Sequence, residues 1–270
     1  MGNGHPATSG AGLQLLPLVG IPLVQAGDDL AALLLEALAR SDLTLQPGDV
    51  LVLAQKIVSK AEGRLVRLSD VNPGAEAEAL AAETGKDPRL VQLILDESTS
   101  VVRKRPGAPG VIVVEHRRGW VHANAGIDQS NVVAGDPGQW ALLLPENPDA
   151  SAAALRSELQ ARTGTIVGIV INDSFGRAWR VGTCGIAIGS AGLRAVHDLR
   201  GAPDLFGRSL EVTVVGHADE VAAAGSLVMG QASERTPAVL VRGLPVDAHP
   251  DAATATAADL IRPASEDLFR

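Results

Sequence analysis

"TIVGIVINDSFGRAWR", residues 165–180, changes within a few positions from small aliphatic residues to charged and polar ones. The apolar run is rich in Val and Ile, which predicts a buried strand. Residues with reactive or charged groups follow it directly: Asp173, Ser174, Gly176, Arg177 and Arg180. Because binding and catalytic groups are commonly carried on loops held by a rigid strand, we expect this strand to lead into a functional site.

Strands and helices are predicted on both sides of this segment. Further strands are predicted at residues 13–19, 50–54, 99–105, 110–116, 119–125, 209–217 and 237–243. Helices are predicted at residues 30–41 (capped by Asp28 or Asp29), 75–84, 88–98, 150–163 (capped by Asp149), 218–229 and 254–261. Because the two kinds of element do not alternate regularly, the predicted fold class is α+β or mixed α/β, not a doubly wound sheet.

The composition limits the core and the partners. Of the 270 residues 46% are hydrophobic, but with three Phe, three Trp and no Tyr the core must be aliphatic. A net charge of −8 without a long basic run excludes the phosphate-binding surface of a nucleic-acid binder. The single cysteine, Cys184, excludes an internal disulfide and lies among small residues that predict a buried thiol.

The expected location is the cytoplasm, with no membrane partner. The first residues lack the basic-then-apolar order of a signal peptide, and no apolar stretch is long enough to span a bilayer.

Several common catalytic motifs are missing. "TGK" at residues 84–86 has Leu80 where a P-loop needs glycine, and Asn172 occupies the first glycine position of a nucleophile elbow around Ser174. His116 and His122 are too far apart for a helical metal pair, and their strand context favours structural roles.

Two further segments place oxygen ligands after apolar runs. "NAGIDQSNV", residues 124–132, contributes Asn124, Asp128 and Asn131, and "SLVMGQASER", residues 226–235, contributes Gln231 and Glu234. Acids, an amide and a hydroxyl from separate loops would suit Mg or Mn. The alternative is that each acid only caps a helix or a turn.

"QKIVSKAEGR", residues 55–64, supplies positive charge. Lys56 and Lys60 are four residues apart and would share one face of a helical turn. Two amines beside a metal would suit a polyphosphate, and the alternative is a pair of solvated lysines.

An ordered set of segments resembles a known family. These are "GIPLVQAGDDL", "GDVLVLAQKIVSKAEGR", "NAGIDQSNV", "LLLPENPDASA", "INDSFGRAWRVG", "ADEVAAAGSLVMG" and "PAVLVRGL". The family is the coenzyme F420-0 gamma-glutamyl ligases of deazaflavin coenzyme biosynthesis. The resemblance predicts a ligase domain at residues 13–244, after a disordered tail at 1–12 and before a C-terminal extension at 245–270 packed on the same domain.

The resemblance implies a reaction, its cofactors and its partners. Family members join L-glutamate to the terminal carboxylate of F420-0 with GTP, and can add further gamma-linked glutamates. They need Mg or Mn, as two ions, often helped by K, and form homodimers with an unusual mixed α/β fold. Phosphorylation of the carboxylate would give an acyl phosphate that the glutamate amine can attack.

Site residues follow from the resemblance position by position. The implied metal ligands are Asp128, Asp173, Ser174 and Gln231. The implied nucleotide-binding residues are Ile21, Pro22, Leu23, Val24, Gln55, Lys56, Lys60, Asn131, Met229, Gly230, Gln231, Ala232, Ser233, Glu234, Arg235 and Thr236. From their chemistry we add Arg177 and Arg180 as a bidentate clamp for a phosphate or carboxylate, with pairing to surface acids as the alternative. The catalytic set is then Asp128, Asp173, Lys60 and Arg177.

This sequence departs from the family pattern at two metal positions. Ser174 replaces a frequent Thr, and Gln231 stands where a Glu is expected, so Glu234 could supply the missing charge. The alternatives in function are a nucleotide-binding protein without ligase activity, a related ligase for another carboxylate or amino acid, and a metal-dependent phosphohydrolase.

Overall fold

The computed structural model of the chain describes residues 12–133, 138–244 and 255–267. In chain order the strands are β1 (Gln14–Pro17), β2 (Val50–Ala54), β3 (Leu65–Arg67), β4 (Ser98–Arg105), β5 (Val111–His116), β6 (Val121–Ala123), β7 (Trp140–Leu142), β8 (Gly168–Arg177), β9 (Arg180–Ala191), β10 (His197–Asp198), β11 (Val214–Val215) and β12 (Ala238–Arg242). The α-helices are α1 (Leu30–Arg40), α2 (Gln55–Ala61), α3 (Ala75–Thr84), α4 (Pro88–Asp96), α5 (Pro148–Thr163) and α6 (His217–Met229). Most of the predicted tail, residues 1–11, and residues 245–254 of the predicted extension lie outside the described residues.

The main sheet is mixed. Its spatial order is β1-β12-β2-β8-β9. β2 and β8 run parallel, whereas β1–β12, β12–β2 and β8–β9 are antiparallel pairs. With one parallel pair in this sheet and smaller sheets elsewhere, the fold is α+β, which confirms the predicted class.

Both faces of the main sheet are covered by helices. On β2, Leu51 and Leu53 are buried in a cluster with residues of α1 and α5, whereas Val50 and Val52 are buried with residues of α6. Successive side chains of a strand point to opposite faces, so a strand covered on both sides is apolar throughout. This is why "VLVLA" and "GIVI" are unbroken aliphatic runs.

A second, smaller sheet has its own core. The meander β4-β5-β6 was predicted from the sequence and is observed. Ile112 and Val114 on β5 are fully buried in a cluster with Leu90 and Ile94 of α4. Gly85, in the left-handed conformation at φ 64°, ends α3 and allows α4 to begin at Pro88.

The start of α1 is as predicted, but that of α5 is not. Asp29 caps α1 and accepts a hydrogen bond from the Ala32 amide at 2.9 Å. α5 is capped by Asn147, two residues before the predicted Asp149. Asp149 instead accepts from the amides of Ser190 and Ala257, both at 2.8 Å, so it joins α5 to β9 and to the C-terminal segment.

Two predicted elements are shorter than expected. The strand predicted at residues 209–217 is reduced to β11, because the exposed residues just before it form a bend. Of the helix predicted at 254–261, a 3-10 turn at Ala257–Leu260 is described. Within the described ranges, no helix combines the length and the apolar character that crossing a bilayer requires.

The parallel pair β2–β8 brings distant parts of the sequence to one edge. Ala54, the last residue of β2, pairs with Asn172 on β8. The residues that follow each of them are therefore neighbours: Gln55 and Lys56 begin α2, and Asp173 and Ser174 continue β8 beside it.

Gly189 tests how tightly α5 packs on the sheet. A Cβ at Gly189 would lie 2.5 Å from the backbone of Pro148, whereas one at Gly176, on the paired strand, would meet no atom within 4 Å. Gly189→Ala should lower the free energy of unfolding by about 1–3 kcal/mol, since a packed backbone must move. Gly176→Ala is the matched control and should be neutral or slightly stabilising. Urea unfolding followed by circular dichroism measures both, and equal midpoints would contradict this packing.

Candidate active site

Asp128 lies beside the end of β2 and the middle of β8. Its backbone is fixed by two hydrogen bonds with Leu142, at 3.0 and 2.8 Å. Its carboxylate accepts from Gln55 Nε2 at 2.8 Å and lies 3.3 Å from Lys56 Nζ. Burial raises the pKa of Asp128, and the charge of Lys56 acts against that shift. The first turn of α2 therefore positions and partly neutralises this acid.

Asp173 is the more strongly perturbed acid. Burial, followed by the nearby negative charge of Asp128, raises its pKa to about 7, despite a hydrogen bond from the Ser174 backbone and the charge of Lys56. Two neighbouring carboxylates that share a buried site cannot both ionise cheaply. Perturbation of this kind is typical of functional sites.

His122, for which a structural role was expected, lies beside Asp173. Its imidazole stacks on Phe175 with ring centroids 3.8 Å apart and planes 4° from parallel, and its Nε2 lies 3.6 Å from the Asp173 carboxylate. Burial, followed by the charge of His116, lowers the pKa of His122 to about 4, so the ring is neutral near pH 7. The contact joins β6 to β8, some fifty residues on, and no local motif in the sequence indicates it.

The two lysines of α2 reach one loop. Lys60 Nζ donates to the backbone oxygen of Asn131 at 2.9 Å, and Lys56 Nζ donates to that of Ser130 at 3.1 Å. Burial, followed by the charge of Lys56, lowers the pKa of Lys60. Asn131 Nδ2 in turn donates to the backbone oxygen of Ala232 at 2.9 Å. The structure thus brings together three predicted segments: α2, the loop after Asp128 and the loop after α6.

Ser174 and Gln231 form a pair of their own. Ser174 Oγ donates to Gln231 Oε1 at 2.8 Å, and Gln231 Nε2 donates to Ser226 Oγ at 3.3 Å. Because adjacent strand residues point to opposite faces, Ser174 and Asp173 lie on opposite sides of β8. The predicted metal ligands therefore fall into two pairs, Asp128 with Asp173 and Ser174 with Gln231.

Glu234 braces its own loop. Its carboxylate accepts from the Ala232 amide at 2.7 Å, and this hydrogen bond lowers the pKa of Glu234. A Cβ at Gly230 would lie 2.2 Å from the Glu234 side chain. Any residue larger than glycine at position 230 would therefore displace the Glu234 carboxylate. Met229 ends α6, and its sulfur lies 3.6 Å from Asn172 Nδ2.

Other predicted residues lie farther from the acids. Arg177 is exposed at the tip of the β8–β9 hairpin, where it donates to the Val181 backbone oxygen at 3.4 Å, and Arg180 is also exposed. Four residues of strand separate Arg177 from Asp173, or roughly 13 Å. Ile21 and Val24 pack on the main core while Leu23 is 70% exposed, in a loop tied to the end of α2 by the Gly27 amide and the Ala61 oxygen at 2.9 Å.

Two other residues behave differently from each other. His116 is buried, with its imidazole 3.4 Å from the Glu97 carboxylate. Burial acts to raise the pKa of Glu97, but His116, Arg64 and Arg117 outweigh it and lower that pKa to about 2. His116 therefore has the structural role that was expected. Cys184 was predicted to be buried but is partly exposed. It lies near the start of β9, where the β8–β9 hairpin extends away from the core.

The donor set suits a hard divalent cation shared with a ligand. Among the residues that the structure describes, no three His, Cys, Asp or Glu side chains are placed to hold a metal by themselves. Asp128 and Asp173 offer two carboxylates whose mutual repulsion a cation would relieve, whereas Ser174 and Gln231 offer two neutral oxygens on the other side of β8. Mg and Mn accept such oxygen ligands and complete their shell with water or phosphate.

Comparison with known proteins identifies the class. A family model described as F420-0:Gamma-glutamyl ligase matches residues 19–243. A coenzyme F420:L-glutamate ligase of Methanothermobacter thermautotrophicus is 48% identical over 87% of this chain and 90% of that protein. A protein of the same name from Methanopyrus kandleri is 44% identical over 96% of this chain and 99% of that protein. Another from Archaeoglobus fulgidus is 42% identical over 96% of this chain and 96% of that protein.

These matches, together with Asp128 and Asp173 beside Lys56, define an enzyme that forms amide bonds between an acid and an amino acid. The chain belongs to the F420-0:gamma-glutamyl ligase family.

The raised pKa of Asp173 predicts a pH-dependent stability. In the folded chain this pKa is about 7, above the ordinary 3.8, so the folded state holds a proton that the unfolded state releases between these values. The resulting stabilisation is complete below pH 4 and is lost as the pH rises through 7. Metal-free Asp173→Asn should therefore gain stability over wild type between pH 4 and pH 8, by up to about 4 kcal/mol.

Urea unfolding with a chelator present, repeated across this pH range, measures the difference. A difference that does not change with pH would contradict the raised pKa of Asp173.

Proposed function

We propose that this enzyme uses GTP to join L-glutamate to the terminal carboxylate of coenzyme F420-0, and that it can add further gamma-linked glutamates. The family and the names of its relatives support the two substrates. The observation that carries the proposal is the edge where Asp128 and Asp173 lie beside Lys56 and near Lys60. Acids for a metal and amines for phosphates at one edge are what phosphoryl transfer to a carboxylate needs.

Two displacements make the amide bond. A carboxylate oxygen of F420-0 attacks the γ-phosphorus of GTP, the bond to the β-phosphate oxygen breaks, and GDP leaves. The glutamate amine then attacks the acyl phosphate, phosphate leaves with the electron pair of the broken bond, and the amine loses a proton. The first displacement replaces a poor leaving group with a good one.

The residues of the chain bind and orient the reactants. Asp128, Asp173, Ser174 and Gln231 would hold Mg or Mn, two ions in all, and K could assist. When bound, these ions would neutralise phosphate charge and align the attack. Lys56 and Lys60 would exchange their backbone partners for phosphate oxygens, which are stronger acceptors. His122, neutral and stacked on Phe175, would hold the Asp173 carboxylate in place.

The nucleotide would lie between three segments. Residues 21–24, the α2 residues Gln55, Lys56 and Lys60, and residues 229–236 after α6 would surround it. Asn131 bonds to both Lys60 and Ala232 and so lies where these segments converge. Glu234 and Gln231 each already accept a hydrogen bond, from the Ala232 amide and from Ser174 Oγ, and we assign the metal contact to Gln231 because its partner Ser174 is also an implied ligand.

Product analysis tests this function. The chain is incubated with F420-0, L-glutamate, GTP and Mn, and products are identified by mass spectrometry, with ATP in place of GTP as a second arm. The expected result is F420-0 extended by one or more glutamates, with GDP and phosphate formed only when both acceptors are present. GTP hydrolysis without acceptors would indicate a phosphohydrolase, and binding without turnover an inactive nucleotide-binding protein. Either result contradicts the proposal.

Lys60 should contribute directly to nucleotide use. A charge-assisted hydrogen bond to phosphate is worth about 1.5–3 kcal/mol, so Lys60→Ala should lower kcat/KM for GTP roughly 10- to 150-fold. Lys86→Ala is a matched control, because burial also lowers the pKa of Lys86 but that residue lies beyond α3. If both variants keep wild-type kinetics, Lys60 does not contact the nucleotide.

We also propose that the enzyme is a homodimer, supported by apolar side chains exposed on its projecting segments. Val181 on the β8–β9 hairpin is 100% exposed, and Leu205 and Phe206 are 97% and 94% exposed. Such residues in a soluble enzyme commonly mark an interface. Light scattering should give the mass of a dimer, and Val181→Asp with Phe206→Asp should shift it towards a monomer. Ile166→Asp, on an isolated exposed residue, should not, and a monomeric wild type would contradict the proposal.

A further inference from the structure

A cavity lies on the side of the molecule where the C-terminal segment meets the β5–β6 turn. Its volume is about 260 Å³. Arg117, Arg118 and Trp120 of the turn line one side, and Ala258 and Ile261 of the C-terminal segment line another. The first residues of α5 and Ile188 of β9 complete it. None of these residues belongs to the group around Asp128 and Asp173.

The cavity is on the same face of the main sheet as Asp173. Ile186 pairs with Asp173 across the β8–β9 hairpin. Ile186 and Ile188 pack in one apolar cluster, whereas Ala187 between them packs in the cluster on the opposite face. Two residues of strand span roughly 7 Å. The register of β8 and β9 shifts at Ile188, but both isoleucines stay in the same cluster, so a small molecule in the cavity would lie on the face of the sheet that carries Asp173.

The charged groups at the cavity favour an anion. Arg117 donates through Nη2 to Glu97, and Arg118 donates through Nε to the Glu146 backbone oxygen at 2.8 Å. Within the described residues, the Nη1 group of each arginine donates to no other atom. The acid in the lining, Asp149, is occupied by the amides of Ser190, Ala257 and Ala258. Two guanidinium groups thus retain donors suited to carboxylates, beside an acid that is already satisfied.

The size and the apolar walls restrict the ligand further. Pockets for drug-sized ligands and cofactors begin at about 300 Å³, so the volume of this cavity favours a ligand smaller than a nucleotide or a deazaflavin. Trp120, Ile188 and Ile261 offer apolar contact between the charged groups. The matching ligand is short, aliphatic in the middle and carries more than one carboxylate.

We propose that this cavity is the binding site of the amino-acid co-substrate, L-glutamate. Its two carboxylates would meet the free donors of Arg117 and Arg118, and its methylene groups would lie against Trp120 and Ile188. The inference rests on the proposed ligase function, because that function supplies glutamate as the ligand and Asp173 as the neighbouring reaction centre.

Two variants test the cavity by different means. Arg118→Gln removes a guanidinium whose partner within the protein is an exposed backbone oxygen, and Ala258→Phe fills the cavity from an exposed position. Arg103→Gln is the control, because Arg103 is exposed on β4 and, among the residues that the structure describes, its side chain donates to the neighbouring Val102 oxygen alone. Arg117 is a poorer choice, since its loss would also disturb the buried Glu97.

The glutamate KM is expected to rise roughly 10- to 150-fold in Arg118→Gln and Ala258→Phe, the range of one charge-assisted hydrogen bond, while the GTP KM stays within twofold. Arg103→Gln should match wild type. Saturation-transfer NMR with L-glutamate, with and without GDP and Mn, measures binding independently of turnover, and both variants should lose the signal. Thermal unfolding verifies that each variant is folded.

The failures of the two proposals are distinguishable. If wild type ligates glutamate but both folded variants keep its KM and its NMR signal, the cavity assignment is wrong and the ligase function stands. If wild type binds glutamate by NMR and the variants do not, yet no ligation occurs, the cavity assignment stands and the ligase function fails. Absence of both binding and ligation overturns both proposals.

Discussion

The parallel pairing of β2 with β8 is the contact on which the rest of the structure depends. It joins segments more than a hundred residues apart and places the first turn of α2 next to the polar continuation of β8. Because the parallel pairing ends at Ala54 and Asn172, the next residues of α2 and β8 are neighbours, and Lys56 comes close to Asp173. The antiparallel neighbours β12 and β9 then add the loop after α6 and the wall that carries Ile188. Loss of this pairing would disperse every group in the site.

The electrostatics of that edge follow from burial. The pKa values of Asp128 and Asp173 are both raised mainly because water is excluded, and the charge of Asp128 raises that of Asp173 further. The adjacent lysines compensate part of this charge, and burial lowers the pKa of Lys60 in turn. Groups held in such balance respond strongly to an added cation or phosphate, because little of the interaction is screened by solvent. The same surroundings explain why His122, close to Asp173, remains a neutral ring.

Local signals predicted most of the elements. The apolar runs of β2 and β8, the Asp29 cap of α1, and Gly85 between α3 and α4 depend on near neighbours in the sequence and were predicted correctly. The site was predicted as a set of segments, and the structure brings Lys56, Asp128 and Asp173 together.

The predictions that failed concern residues whose contacts lie far away in the sequence. The role of Asp149 depends on Ser190 and Ala257, the contact of His122 depends on Phe175 and Asp173, and the exposure of Cys184 depends on where β9 leaves the core. None of these distances is encoded in periodicity or in residue type.

The hydrogen bonds made by Asn131 have a consequence for the energetics of recognition. Its backbone oxygen accepts a hydrogen bond from the ammonium of Lys60, and its amide group donates to the backbone oxygen of Ala232, so one helix and two loops are joined in the free enzyme. A flexible pocket loses conformational entropy when it binds a ligand. In this protein part of that entropy is lost during folding. Association then costs the exchange of a few polar partners in place of the ordering of whole loops. Folding stability and ligand affinity are thereby coupled through one asparagine.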